Sequence, residues 1–472
     1  MENRKAIEIL KTFSPKELKE FRNFVASPYF NNNPKVLILL NLLKKDYPDF
    51  NNKKLVKKKF FKQIFSQKKY EDKKFRYLFT ELTKLLEKFL IEQKFSNERA
   101  LQNNWLLNNL EERGLDNYFQ TTLSYSQNQQ QQRETRNANY FYEQHLLENS
   151  YNVFLGKRQN RSESIDLRTV VENLDLFYIA SKLKYCCEII NRKNVIAMDY
   201  NPLLLDEILS YLQNNPKDEI PAIAIYHCVL LTLTDGTDEK HYLKLKKLLT
   251  KHIYHFLKDE MMEMHTFVLN YCIKQVNSGK PKYLEELFNW YKILLEKKLI
   301  FDKKTISQFH YKNIVTVGLR LKKFDWTEKF IHRHKNCISK EFQRNAFTYN
   351  LAALYFAKRN YKRTKKLLLE VKFTDVYYRT DASVMLLKTY YELNDTNGLN
   401  SLGNTFRMYV KRNKKISNYQ RTIYSNLLRF IKQLLKIKNG RKHLISQVKQ
   451  EIEKTKQVAD LKWLNEKIGE FK

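Results

Sequence analysis

The chain has 472 residues, more than one ordinary hydrophobic core encloses, so two or three domains or one extended array are expected. A content of 43% hydrophobic and 14% aromatic residues excludes general disorder, and only nine glycines and eight prolines leave few tight turns or strand breaks, which points to helices. The 86 Lys and Arg against 51 Asp and Glu give a net charge of +35, which favours acidic or polyanionic partners. An AT-rich coding sequence would also enrich lysine, but it would raise Asp and Glu with it, and those have not kept pace. No stretch approaches the ~18 uncharged apolar residues of a membrane span, and Met1 to Phe21 lacks a continuous apolar core of signal-peptide length, so a cytoplasmic location is expected. The five cysteines, 186, 187, 228, 272 and 337, are odd in number and contain no CxxC pair, as buried free thiols would be.

Ser14-Pro15-Lys16-Glu17 combines an N-cap serine, a proline at the first helical position and a glutamate placed for a capping box; Leu18, Phe21 and Val25 follow at helical spacing. Pro28 should stop that helix, because the residue before a proline is pushed out of the α region. Asn33-Pro34 restarts a helix carrying Val36, Leu37, Leu40 and Leu43, and Tyr47-Pro48 ends it. A lysine-rich helix from about Lys53 to Phe65 follows, then a longer one from about Asp72 to Gln93, with Phe75, Leu78, Leu82, Leu85, Leu86 and Phe89 on one stripe.

Ser96 is a candidate cap, Leu101 and Trp105 are expected to face inward, and Gly114 is a candidate helix stop. The glutamine-rich run Ser126 to Asn137 reads as an exposed or frayed helical segment without function. Gly156 to Ser164 reads as a polar, basic loop, and Ile165 to Arg192 as a long amphipathic helix with Val170, Leu174, Phe177 and Ile190.

Internal similarity begins further on. Ile225 to Leu230, a turn with Gly236, and Tyr242 to Leu249 correspond to Leu269 to Lys274, a turn with Gly279, and Tyr283 to Phe288, each a helical hairpin. Cys228 and Cys272 hold the same place in the two, as small residues would where helices press together. Tyr349 to Phe356, Asn360-Tyr361 and Leu367-Leu368 form another unit, and Val384 to Tyr391 with Asn394-Asp395 begins the next, 35 residues on from Tyr355 to Tyr390. These residues resemble the tetratricopeptide family, whose period is about 34 residues, clearly over Arg344 to Asn404 and loosely over Leu203 to Asn336. Leu351, Ala352 and Tyr355 match the family's helix-A pattern; Leu387 and Leu399 depart from it and imply wider helix spacing. The N-terminal third, with Ser27 to Asn31 and Tyr47 to Phe50, resembles the start of bacterial proteins of no known activity.

The resemblance implies peptide binding along the helix-A face, which here includes Tyr349, Ala353, Phe356, Lys388 and Tyr391. The carboxylate clamp of some relatives wants Lys and Asn where this chain has Tyr349 and Ala353, so an apolar, aromatic groove is implied.

Catalytic and cofactor motifs fail on their residues. The nearest approach to a phosphate cradle, Gly398 to Gly403, is followed by Asn404-Thr405 rather than Lys and Ser or Thr, and neither Rossmann glycine spacing nor a Gly-x-Ser-x-Gly elbow occurs. His252 and His255 are spaced i, i+3 and His332 and His334 i, i+2; HExxH is absent, so packed or solvated histidines are expected. Asp259-Glu260 and Glu285-Glu286 read as helix-surface charges. No cofactor, metal or small-molecule substrate is expected.

One charge pattern stands out. Between Asp395 and Glu451 there is no acidic residue, while 13 Lys and Arg occur, Lys411 and Arg412 among them. On a helix from about Asn418 to Lys438, Arg421, Arg429, Lys432 and Lys436 fall within about an 80° sector, with Leu427, Ile431, Leu434 and Leu435 opposite. A second basic run spans Lys358 to Lys366. Such runs serve either as solvated faces or as anion-binding surfaces.

The sequence is therefore expected to form an all-α protein: an N-terminal helical domain over 1–95, a connecting long-helix region over 96–200, and an α-solenoid of stacked tetratricopeptide-like hairpins over 201–472. The expected function is a non-catalytic adaptor or scaffold for a protein partner, with nucleic-acid binding through the basic C-terminal helices as the alternative.

Overall fold

The computed structural model describes residues 4–50, 57–66, 69–158, 167–193, 200–235, 239–371, 376–455 and 457–471. Among them are 23 α-helices and one antiparallel pair of two-residue strands, Phe301–Asp302 with Thr305–Ile306, so the all-α class holds. No described helix is long and apolar enough to cross a membrane. The chain divides into two compact units, Met1–Lys182 with Ile220–Ile223, and Leu183–Glu219 with Ala224–Lys472.

The first unit opens with α1 (Arg4–Thr12), α2 (Pro15–Ala26), α3 (Pro34–Lys44), α4 (Lys57–Phe65) and α5 (Asp72–Phe95). The capping box forms as its spacing requires: Ser14 Oγ accepts from the Glu17 amide at 3.2 Å, and Glu17 Oε2 accepts from the Ser14 amide at 2.7 Å. Asn33 caps α3 by accepting from Lys35 N. The six apolar positions read on α5 are all buried, and Phe89 gathers Phe13 and Phe21 at 5.7 and 5.3 Å.

Next come α6 (Arg99–Glu112), α7 (Asp116–Gln132) and α8 (Ala138–Arg158), three helices in mutual contact around Leu107, Phe119, Leu123, Leu147 and Phe154. Phe119 and Phe154 stack at 4.0 Å. Gly114, at φ +68°, ends α6 as expected. Other readings need correction. Ser96 closes α5 rather than capping α6, and Trp105 is 62% exposed. The inner face of α6 is instead Asn104, Leu107 and Glu111, and its two polar members are satisfied: Asn104 by Ser150 Oγ at 2.8 Å, and Glu111 by Lys157 at 2.8 Å. Gly156 lies inside α8; residues 159–164 of the expected loop lie outside the described residues. In α9 (Arg168–Lys193), Val170 is buried but Leu174 is exposed.

The second unit carries α10 (Leu205–Asn214), all but the first three residues of α11 (Pro221–Thr234), α12 (Glu239–Lys251), α13 (Lys258–Asn277), α14 (Lys282–Glu296), α15 (Gln308–Arg320), α16 (Phe324–Arg333), α17 (Lys340–Ala357), α18 (Tyr361–Glu370), α19 (Val376–Glu392), α20 (Thr396–Arg412), α21 (Asn418–Lys438), α22 (Ile445–Lys454) and α23 (Leu461–Gly469). From α13 onward each helix packs on the next, and α15, α17, α19 and α21 each also pack on the helix two ahead. Cys228 and Cys272 are both buried, Cys228 Sγ donating to the His241 carbonyl at 3.0 Å. Gly236 lies outside the described residues.

One turn recurs through this region. Gly279, Lys298, Lys322, Arg359, Asn394 and Gly440 all hold left-handed backbone, φ +55° to +105° in round terms, each just past a helix end. In every case the amide of the following residue donates to the carbonyl five positions back: Lys280 to Gln275, Leu299 to Leu294, Lys323 to Gly318, Asn360 to Tyr355, Asp395 to Tyr390 and Arg441 to Lys436, at 2.8 to 3.1 Å. This pair of features satisfies helix-end carbonyls and reverses the chain in one way each time. The bulk of Leu387, out of pattern for helix A, lies beside Gly403 of α20, so a small residue still occurs at that crossing, on the other helix.

Candidate functional site

The expected peptide groove comes from α17 and α19, which pack together and bring Tyr349, Ala353, Phe356, Lys388 and Tyr391 into one region. It is not open. Tyr349 is buried edge-on against Tyr378 at 5.1 Å, Ala353 and Phe356 are half-buried, and Lys388 and Tyr391 are buried. Lys388 Nζ lies 4.7 Å from the centre of the Phe356 ring and pairs with Asp460 Oδ2. Tyr391 meets the Trp463 ring at 5.3 Å, and Trp463 Nε1 donates to Glu392 Oε1 at 3.1 Å.

The cover is thus the chain's own last described helix. Trp463, Leu464 and Ile468 form the apolar face of α23, and a nine-residue helix hides such a face only by packing on earlier ones. Lys467 is almost wholly buried. Burial alone would lower its pKa, but hydrogen bonds to Glu470 and Glu392, at 2.7 and 2.9 Å, outweigh that and raise it. The expectation of an open aromatic groove is corrected accordingly.

The basic stripe lies on α21 as its spacing implies, with Leu427, Ile431, Leu434 and Leu435 buried on the opposite side. Its members differ. Arg421 is half-buried and turns back, donating through Nη2 to the Asn413 carbonyl at 3.1 Å, so it fastens the α20–α21 turn. Arg429 and Lys436 are exposed, Lys432 is half-buried, and Lys411 and Arg412 are exposed in the last turn of α20, where cations complement the helix dipole. Among the described residues, none of Lys411, Arg412, Arg429, Lys432 or Lys436 has a carboxylate within ion-pair distance. The second run behaves otherwise: Lys358, Arg359 and Lys365 pair with Glu328, Glu466 and Asp395, each at 2.7 Å.

No family model, no curated protein and no solved structure matches this chain.

Sequence reasoning missed an amide-lined cleft of about 690 Å³ among α6, α7 and α8. Asn103 and Asn104 line it from α6, Gln129 and Gln130 from α7, and Glu143 from α8, with Arg133 paired to Glu143. Gln130 Nε2 also donates to Glu143 Oε2 at 3.2 Å. The glutamine run therefore has a buried edge, contrary to the exposed segment expected, with Ser126 and Gln130 at 4% and 7% exposure. The available signal was Ser126, Gln130 and Arg133 at i, i+4 and i+7, a one-face spacing carried by polar rather than apolar residues.

The histidines pack rather than converge. His252 and His255 lie 5.3 Å apart by ring centre, and His334 sits 4.7 Å from the Phe330 ring. Among the described residues, no three His, Cys, Asp or Glu are grouped to hold a metal ion. Gly398 and Gly403 are both inside α20, where a phosphate-cradling loop has no place. Four of the five cysteines are buried as free thiols, and Cys337 is partly exposed.

Proposed function

We propose that this protein is a non-catalytic, cytoplasmic helical-repeat scaffold that holds a protein partner, with its second unit built as an α-solenoid of tetratricopeptide-like hairpins. The recurrent turn at Gly279, Lys298, Lys322, Arg359, Asn394 and Gly440 carries this reading, because the same chain ending closes α13, α14, α15, α17, α19 and α21. Hairpins of that kind hide their apolar stripes only against neighbours and leave an extended surface for a partner. The test is co-purification with the full chain as bait, at mild salt and after chemical cross-linking. A polypeptide retained in stoichiometric amount is expected; recovery of none overturns the reading.

A second reading, nucleic-acid binding through α20 to α22, is favoured by one observation. Lys411, Arg412, Lys432 and Lys436 have no carboxylate within ion-pair distance among the described residues, and Arg429 only a longer-range attraction to Glu451, whereas Lys358, Arg359 and Lys365 are paired. Loss of binding as salt rises, with a log-log slope of about −0.9 per neutralised phosphate on duplex DNA, is its signature.

A further inference from the structure

A cleft of about 420 Å³ lies between α14 and α16, within the range of small-ligand sites. One wall is aromatic. Trp326, Phe330 and His334 recur every four residues along α16 and its cap; the first two rings are parallel within 6° at 5.6 Å, and the last two lie 4.7 Å apart. Phe288 of α14 meets Trp326 edge-on at 4.6 Å.

Four cations line the same cleft: Lys292 from α14, Lys298 from the turn that follows it, and Lys329 and Arg333 from α16. All four are exposed, and among the described residues none has a carboxylate within ion-pair distance. Glu296 is the one acid in the lining. Nearby lysines are treated differently, since Lys246 pairs with Glu286 and Lys323 with Glu285, both at 2.8 Å. Four like charges gathered around a concavity repel one another, and an anion seated among them would relieve that repulsion.

A partly exposed tryptophan ring beside a cluster of unpaired cations matches the two halves of a nucleotide, a base that stacks and a phosphate that takes charged hydrogen bonds. We propose that this cleft binds a nucleoside monophosphate unit, its base against the half-buried Trp326 ring and its phosphate among Lys292, Lys298, Lys329 and Arg333. The unit comes either from a free nucleotide or from a single strand of nucleic acid. The proposal stands apart from both the scaffold reading and the stripe on α21, which involve other residues.

The test uses the full chain, with adenosine 5′-monophosphate, adenosine, inorganic phosphate and a short oligoadenylate as probes. Binding is followed by calorimetry and by quenching of tryptophan emission, to which Trp326 is one of four contributors. The monophosphate is expected to quench the native chain and to leave a Trp326→Phe chain unquenched, while adenosine and phosphate bind more weakly. Lys329→Gln with Arg333→Gln should weaken the monophosphate about tenfold. Both side chains are exposed, so an unchanged circular dichroism spectrum serves as the folding control. Oligoadenylate binding tighter than the monophosphate would identify a strand as the source, with a salt slope that falls by about 0.7 per cation removed; the reverse order would identify the free nucleotide. The proposal is overturned if neither probe binds, if phosphate alone binds as tightly as the monophosphate, or if the double substitution changes nothing.

Discussion

Gly318 of α15 presses so closely on Thr327 of α16 that a Cβ at the glycine would overlap the threonine hydroxyl oxygen. Thr327 is fully buried, and its hydroxyl is fixed by donating to the Lys323 carbonyl at 2.8 Å, so it has little freedom to yield. Replacing a helical glycine with alanine ordinarily stabilises by about 1 kcal/mol. Here the overlap reverses the sign, and Gly318→Ala is expected to lose about 1–3 kcal/mol in urea unfolding. Adding Thr327→Ala removes the obstructing oxygen, so the double variant should be less destabilised than the two single losses summed. A stabilising Gly318→Ala would mean that the helices do not meet this closely.

The recurrent turn makes a second prediction with two opposite signs. Lys322 is exposed yet holds φ +57°, a conformation costly for a side chain with a Cβ, whereas Gly279 holds φ +89° with open space around it. Lys322→Gly should therefore raise stability by about 0.5–1 kcal/mol, and Gly279→Ala should lower it by about 1 kcal/mol through the backbone alone. Thermal melting of the two variants checks both. Equal shifts in one direction would contradict the turn geometry.

The legible parts of this fold were those in which local chemistry and burial agree. Ser14 and Glu17 sit three residues apart and cap each other, and Phe75 to Phe89 read as one stripe and bury as one. Four of the six recurrent turns carry no glycine to mark them, with Lys298, Lys322, Arg359 and Asn394 standing in its place. Trp105 was misplaced because α6 turns Asn104 and Glu111 inward, and that choice depends on partners more than 40 residues away in α8. The covered groove was invisible for a similar reason. Lys388 with Asp460 and Glu392 with Trp463 are pairings across about 70 residues, which periodicity within one helix does not encode. The aromatic residues of α16, like the polar edge of α7, were a missed feature written locally, as Trp326, Phe330 and His334 with Lys329 and Arg333 interleaved.

The differing surroundings of the stripe residues separate binding from stability. Arg429→Gln, Lys432→Gln and Lys436→Gln together are expected to reduce the log-log salt slope of DNA binding by about 0.9 for each phosphate no longer neutralised, with little change in melting. Arg421→Gln should do the opposite, leaving the slope alone while lowering the melting temperature, because its guanidinium holds the Asn413 carbonyl rather than facing solvent. Fluorescence anisotropy across a salt series, alongside melting curves, reads both. If the triple variant binds as the native chain does, the stripe has no part in anion recognition.

Acid should weaken the second unit before its carboxylates titrate. His265 is buried, with Nδ1 at 2.7 Å from the Met261 carbonyl and its ring 5.3 Å from that of Trp290. Burial pushes its pKa below 6.5, against the opposing pull of the Met261 bond and with help from the charge on Lys297. His227, His310 and His334 are also lowered, chiefly by burial. For a base shifted downward, the unfolded chain takes up protons first. The stabilisation is therefore complete above pH 6.5, and it is lost as pH falls through that value toward the lower pKa of the folded state. Melting temperature should fall from about pH 7.5 to 5, above the range where ordinary carboxylates protonate. His265→Gln removes the titrating ring but keeps an amide able to donate to the Met261 carbonyl, so its melting temperature should depend less steeply on pH across that window. A native chain whose melting temperature stays level or rises toward pH 5 would show that these histidines are not held neutral by burial.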